Sequence, residues 1–180
     1  GKMAATLDVV TSIFLLDSEG SRITAKFYSG DLQTLEQQKE IEKKIFKASQ
    51  TSTSSSGADV VMLDHHLGIF RVSNGCLFAI TGALDQNELM LEYVLEAFVT
   101  SVQAILRGQT DKRTILENLD YVILIIDELI DDGVILETEP DVLISRVSLR
   151  PTEGDVPLAE QTLVQAIQSA RDQIQRSLLQ

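Results

Sequence analysis

Between residues 87 and 106 the apolar side chains wrap almost the whole circumference of a helix. Leu89, Met90, Leu91, Tyr93, Val94, Leu95, Ala97, Phe98, Val99, Val102, Ala104, Ile105 and Leu106 leave little room for a polar side. A helix of this kind is expected to be buried on all sides. In a chain of 180 residues it is either a central helix or one that faces a partner protein. One domain of this length can bury a substantial core. With 44% hydrophobic residues, 5% aromatics and no Trp, that core is built from Leu, Ile and Val.

The segments before this helix read as strands. Residues 7–16 (LDVVTSIFLL) are rich in β-branched and apolar residues and end in the turn Asp17-Ser18-Glu19-Gly20. Residues 22–28 then alternate, with Ile23, Ala25 and Phe27 on one face and Arg22, Thr24 and Lys26 on the other. Together they predict a β-hairpin with one wet face. Asp31 is a candidate N-cap for a polar-rich helix over 32–48, in which Leu35, Ile41, Ile45 and Phe46 are available for packing. Residues 50–57 (QTSTSSSG) read as a solvated surface loop. Three strands follow at 59–63, 67–73 and 76–81, the last two joined by Asn74-Gly75, a strong hairpin signal.

After residue 106 the chain is helical. A short helix at 111–116 leads into 117–147, where Leu119, Val122, Ile123, Ile126, Leu129 and Ile130 follow the i, i+3, i+4, i+7 spacing of a buried face. Asp127, Glu128, Asp131 and Asp132 are expected on the wet side, and Gly133 at a left-handed C-terminal cap. Residues 134–136 are extended, and Pro140 and Asp141 open a further short helix through 147. Residues 149–157 read as a linker between a body at 1–148 and an amphipathic helix at 158–180, whose Leu163, Val164, Ile167, Ala170, Ile174 and Leu178 form one stripe. Strands followed by helices predict an α+β fold, with helices on the faces of a mostly antiparallel sheet.

Composition narrows the function classes. A net charge of −12 argues against nucleic acid, whose binders carry a basic footprint, and against direct docking on anionic lipid. Cys76 is alone, so no intrachain disulfide can form, and it reads as a small core residue. The strictly apolar run at 121–126 is far too short to span a bilayer, and no charged-then-apolar leader opens the sequence. The expected location is therefore the reducing cytosol.

No catalytic, cofactor or metal site is expected. Glu128, Asp132, Gly133 and Glu139 imitate a calcium loop at positions 1, 5, 6 and 12, but Ile130 occupies position 3 and cannot ligate. His65 and His66 are adjacent, so on a strand they point to opposite faces, and in a turn they are expected to be solvent-exposed. A nucleophile elbow, a P-loop and a dinucleotide fingerprint are all absent.

Several stretches together resemble one known family. FLLDSEGSRITAKFY at 14–28, EQQKEIEKKIF at 36–46, NELML at 87–91, ENLDYVILIIDELIDDGVILETEPDVLISRV at 117–147 and LAEQTLVQAIQSARDQIQRSLLQ at 158–180 resemble the zeta subunits of coatomer. More distantly the chain is similar to the small sigma subunits of clathrin adaptors. Asp132 departs from the glycine usual in the family. The resemblance implies a longin-like (SNARE-like) fold, with a five-stranded sheet between helices and a C-terminal amphipathic helix. It also implies a non-enzymatic cytosolic subunit that pairs with coatomer gamma and, through it, with the remaining subunits. Such a coat is recruited by an Arf-family GTPase to Golgi membranes for transport within the Golgi and back to the endoplasmic reticulum, so membrane contact is peripheral. The rival expectations are a cargo-signal-binding small subunit of a clathrin-adaptor-type complex and an independent longin-domain regulator of a GTPase.

Overall fold

A computed structural model describes residues 9–54, 57–149 and 175–176. The expected linker beyond residue 149, and all of the C-terminal helix except residues 175–176, lie outside the described residues. Five strands form one sheet: β1 (Val10–Leu16), β2 (Arg22–Phe27), β3 (Asp59–Met62), β4 (His66–Ser73) and β5 (Cys76–Ala83). Their spatial order is β2-β1-β5-β4-β3, and every pairing is antiparallel. Helix α1 (Leu35–Thr51) lies between β2 and β3 in the chain. After the sheet come α2 (Glu88–Ile105), α3 (Lys112–Glu117) and α4 (Leu119–Leu129). A small hairpin of β6 (Ile130–Asp131) and β7 (Val134–Ile135) leads to α5 (Pro140–Ser148).

Strand alternation gives the sheet two buried faces. Ile13, Leu15, Ile69, Phe78 and Ile80 point to one side and join Leu91, Leu95, Phe98, Ile125, Ile126 and Leu143 of the α2–α4–α5 layer. Phe78 and Phe98 meet edge to face there, with centroids 5.2 Å apart. Phe14, Leu16, Phe70, Leu77 and Ala79 point the other way, onto Ile41 and Ile45 of α1. The molecule is thus three layers deep, one helix on one face and a helical group on the other.

Bulges break the expected alternation at two places. One lies between Leu15 and Leu16 where β1 pairs with β2, and Ile23 there packs into the α2 side while Ala25 and Phe27 pack on the α1 side. An extra residue in a ladder turns the residues beyond it to the other face, so a uniform split of residues 22–28 does not hold. The other lies between Val10 and Ser12, so the Thr11 and Ser12 hydroxyls both reach Thr81, at 2.7 and 2.5 Å.

The helix ends also depart from expectation. Asp31 belongs to a 3-10 turn, Gly30–Leu32, and the N-cap of α1 is Thr34. Thr34 and Gln37 exchange side-chain and backbone bonds as a capping box, which satisfies two otherwise orphaned amides. Gly133 does not cap α4, which ends at Leu129. Asp132 and Gly133 instead turn the β6–β7 hairpin with φ of 49° and 85°, as an Asp-Gly pair in a two-residue turn requires. The Gly133 carbonyl accepts from the Val9 and Val10 amides at 3.2 and 3.0 Å, pinning this hairpin to the start of β1.

Candidate protein-interaction surface

The residues that imitate a calcium loop do not converge. Glu128, expected in water, is buried, and its carboxylate lies 3.6 Å from Arg146 of α5. Asp132 and Gly133 form the hairpin turn, and Glu139 precedes α5, where it accepts from the Tyr93 hydroxyl at 3.3 Å. Among the described residues no group of three His, Cys, Asp or Glu side chains is placed to hold a metal ion. Cys76 is buried as expected, and desolvation, with Asp17 and Asp111 adding to it, raises its thiol above the ordinary value.

The two histidines separate. His65 is exposed, but His66 opens β4 and is only 5% exposed, against the expectation of a solvated pair. The β3–β4 turn is tight, closed by the Leu63 amide on the His66 carbonyl at 2.8 Å, so His66 is already in the ladder and under the 3-10 turn. Its Nε2 lies 2.8 Å from the Asp31 carboxylate and its Nδ1 3.0 Å from Thr11 Oγ1. Burial works against the Asp31 charge, but the Ser29 hydroxyl and the His66 ring hold its carboxyl below the ordinary range. Thr11 is also committed to Thr81, which is bonded to Ser12. This chain of polar groups staples the 3-10 turn to the centre of the sheet. The adjacent residues His65 and His66 could not reveal it, because its partners lie at 11, 31 and 81.

The surface offers apolar contact. Helix α2 is not enclosed: one side meets the sheet and α4, but Leu89, Met90 and Tyr93 are 73%, 45% and 54% exposed. Leu89 and Tyr93 are one turn apart and share a stripe. Through Tyr93 and Glu139 this stripe adjoins the N-terminus of α5, where Val142 is exposed, and Leu136 is exposed just upstream. The edge strand β3 is a second apolar element. Val60 and Met62 lie opposite Ile69 and Leu67, so they share the α2 side of the sheet, yet both are exposed. Periodicity showed that α2 is apolar all round; it could not show which part of that circumference the domain itself leaves open.

The clathrin adaptor complex small chain family matches residues 9–153. The chain is 44% identical over 170 residues to coatomer subunit zeta-1 of Oryza sativa subsp. japonica, covering 94% of this chain and 96% of that one. It is 38% identical over 174 residues to coatomer subunit zeta-1 of Homo sapiens, covering 97% and 95%. A chain of the full-length AP-3 complex in a stretched open conformation shares the fold, with a TM-score of 0.58 over 91% of this chain and 98% of that one at 14% identity.

Proposed function

Because this chain belongs to the clathrin adaptor complex small chain family, and within it to the coatomer zeta subunits, we propose that it is a small non-enzymatic subunit of a coatomer-type vesicle coat that works by being held against a large subunit. The observation that carries the mode of binding is the exposed stripe Leu89, Met90 and Tyr93 on an otherwise core helix. Apolar side chains clustered on one exposed helical stripe are better explained by a protein partner than by water. The gamma subunit is the partner we assign to it. A normal interface would bury about 800 Å² on each side. The stripe, with the N-terminus of α5 and the β3 edge, supplies its apolar part.

Location follows from the coat. No helix among the described residues is long and apolar enough to cross a membrane. In this reading the subunit reaches Golgi membranes peripherally, inside a coat recruited by an Arf-family GTPase, for transport within the Golgi and back to the endoplasmic reticulum. In this reading gamma grips the body formed by the described residues 9–149. Co-expression with the gamma trunk tests the assignment. The pair should co-purify, and Leu89→Asp with Tyr93→Ala should reduce recovery of gamma at least about tenfold, as loss of central apolar anchors does. Recovery unchanged by these substitutions would place the interface elsewhere, and a chain that never co-purifies with gamma would refute the partner.

A further inference from the structure

Hydrogens can be counted along the polar chain that joins the 3-10 turn to the sheet. It has four links: Ser12 to Thr81, Thr81 to Thr11, Thr11 to His66 Nδ1 and His66 Nε2 to Asp31. Ser12 and Thr81 are fully buried, and among the described residues the Ser12 hydroxyl meets no partner but Thr81. A buried hydroxyl hydrogen without an acceptor is unfavourable, so Ser12 donates to Thr81. Thr81 then donates to Thr11, and Thr11 to Nδ1 of His66. That nitrogen is bare, and the ring's one hydrogen stands on Nε2, aimed at the Asp31 carboxylate 2.8 Å away. The opposite tautomer would set two acceptors against each other there and leave a hydroxyl hydrogen unused.

The neutral ring thus supplies one hydrogen to each link. A charged ring brings another, on Nδ1, and no further acceptor, so it would meet the Thr11 hydroxyl head on. Charge pulls the other way. Asp31 touches the ring, and Glu40 and Lys44 of α1 with Asp64 and His65 of the β3–β4 turn line the cavity of about 220 Å³ beside it. Lys44 stands 3.1 Å from Glu40 and 3.0 Å from Asp64, so the carboxylates there outnumber the ammonium that answers them. β1 and β5 carry no charged residue, and on the sheet side the ring's polar partner is the Thr11 hydroxyl. The carboxylates invite a proton onto His66, and the hydroxyl chain has to give up one link to admit it.

We propose that His66 is a proton-operated latch between the α1 layer and the sheet. Neutral, it fastens the 3-10 turn to Thr11 and Thr81; charged, it keeps Asp31 but gives up its hold on the hydroxyl chain. The turn leads into α1, since the Leu32 carbonyl accepts from the Gln38 side chain at 2.9 Å and the cap Thr34 follows two residues later. The Ser29 hydroxyl also donates to Asp31, so the turn travels with the ring. The break falls at Thr11, where the hydrogens of the ring and of the hydroxyl compete for one place. The Thr11 carbonyl still accepts from the Tyr28 and Ser29 amides at 2.9 and 3.3 Å, so the pairing of β1 with β2 does not depend on the latch. His65 is exposed and takes no part.

Nuclear magnetic resonance of the full chain, with nitrogen-labelled rings and amides, tests the proposal between about pH 8 and pH 5, the range in which histidine charges. At the alkaline end the His66 hydrogen is expected on Nε2. As the ring charges, the Thr11 and Thr81 signals should shift with the midpoint of His66 and not with that of His65. Thr11→Val should abolish the Thr81 shift while His66 still titrates, and Thr11→Ser, which keeps the hydroxyl, should restore it. His65→Gln should change none of this, and circular dichroism confirms that each variant is folded. Should Thr11→Val fail to fold, Thr81→Val cuts the chain one link further on, and should silence the response at position 81 while Thr11 still follows His66. The proposal is overturned by a hydrogen on Nδ1 at the alkaline end or by a ring that stays neutral throughout the titration. It is also overturned by Thr11 and Thr81 signals that do not follow His66, or by a Thr81 shift that survives Thr11→Val in full.

Discussion

Asp17 accepts three hydrogen bonds where β1 turns into β2, from the Glu19 and Ser21 amides at 2.9 Å each and from Lys112 of α3 at 2.7 Å. The Lys112 ammonium outweighs the cost of burial and holds its carboxyl below the ordinary 3.8. A carboxylate depressed in the folded state stabilises above its unfolded pKa, and that contribution is lost as pH falls through the folded value. Asp17→Asn should therefore cost about 1–3 kcal/mol near pH 7. In urea titrations its difference from the parent chain should shrink on acidification below the carboxylate range. A gap that stayed constant with pH would mean that Lys112 contributes nothing. Gly133 is the second sensitive residue. Its φ of 85° and the Val10 carbonyl 2.8 Å from an added Cβ make Gly133→Ala destabilising by about 1–3 kcal/mol, measurable by chemical denaturation. The turn at residues 17–20 was legible from composition alone. Lys112 was not, because the pairing spans 95 positions.

At the scale of elements, local chemistry was legible where the cause was local. The strands of the five-stranded sheet, the Asn74-Gly75 turn and the five helices of the described residues emerged from alternation, period and turn residues. The boundaries moved where a neighbouring signal was stronger. Thr34-x-x-Gln37 captured the start of α1 from Asp31, and Asp132-Gly133 made a hairpin of an expected helix cap. Thr34→Ala should lower stability by about 1 kcal/mol, read from the urea midpoint. Helix α2 gives the sharper contrast. Leu95→Ala, inside the core, should cost about 2–5 kcal/mol. Leu89→Ser, on the open stripe, should change the isolated chain by less than about 0.5 kcal/mol. Equal losses at both positions would show that the stripe is covered within the subunit itself. The surface of interest was half legible, since hydropathy marked α2 as special but its orientation depends on the α4 and α5 contacts.

For the whole molecule, electrostatics oppose compactness. A net charge of −12 on 180 residues is a self-repulsion that the ion pairs only partly offset. Raising salt from about 0.01 to about 0.15 M shortens the screening length and should raise the melting temperature, as scanning calorimetry would show. A fall would mean that the pairs outweigh the repulsion. The pin between Gly133 and the start of β1 has a consequence for synthesis. Strand β1 can pair with β2 as soon as both have left the ribosome, but its other flank waits for β5 and its leading end for residue 133. Until residues 76–83 have emerged the nascent chain therefore carries an open, apolar strand edge, the kind of surface that invites aggregation, and the end of that strand stays unpinned until residue 133 follows. Chains halted before residue 133 should accordingly be held by chaperones, and release should follow the emergence of the β6–β7 turn.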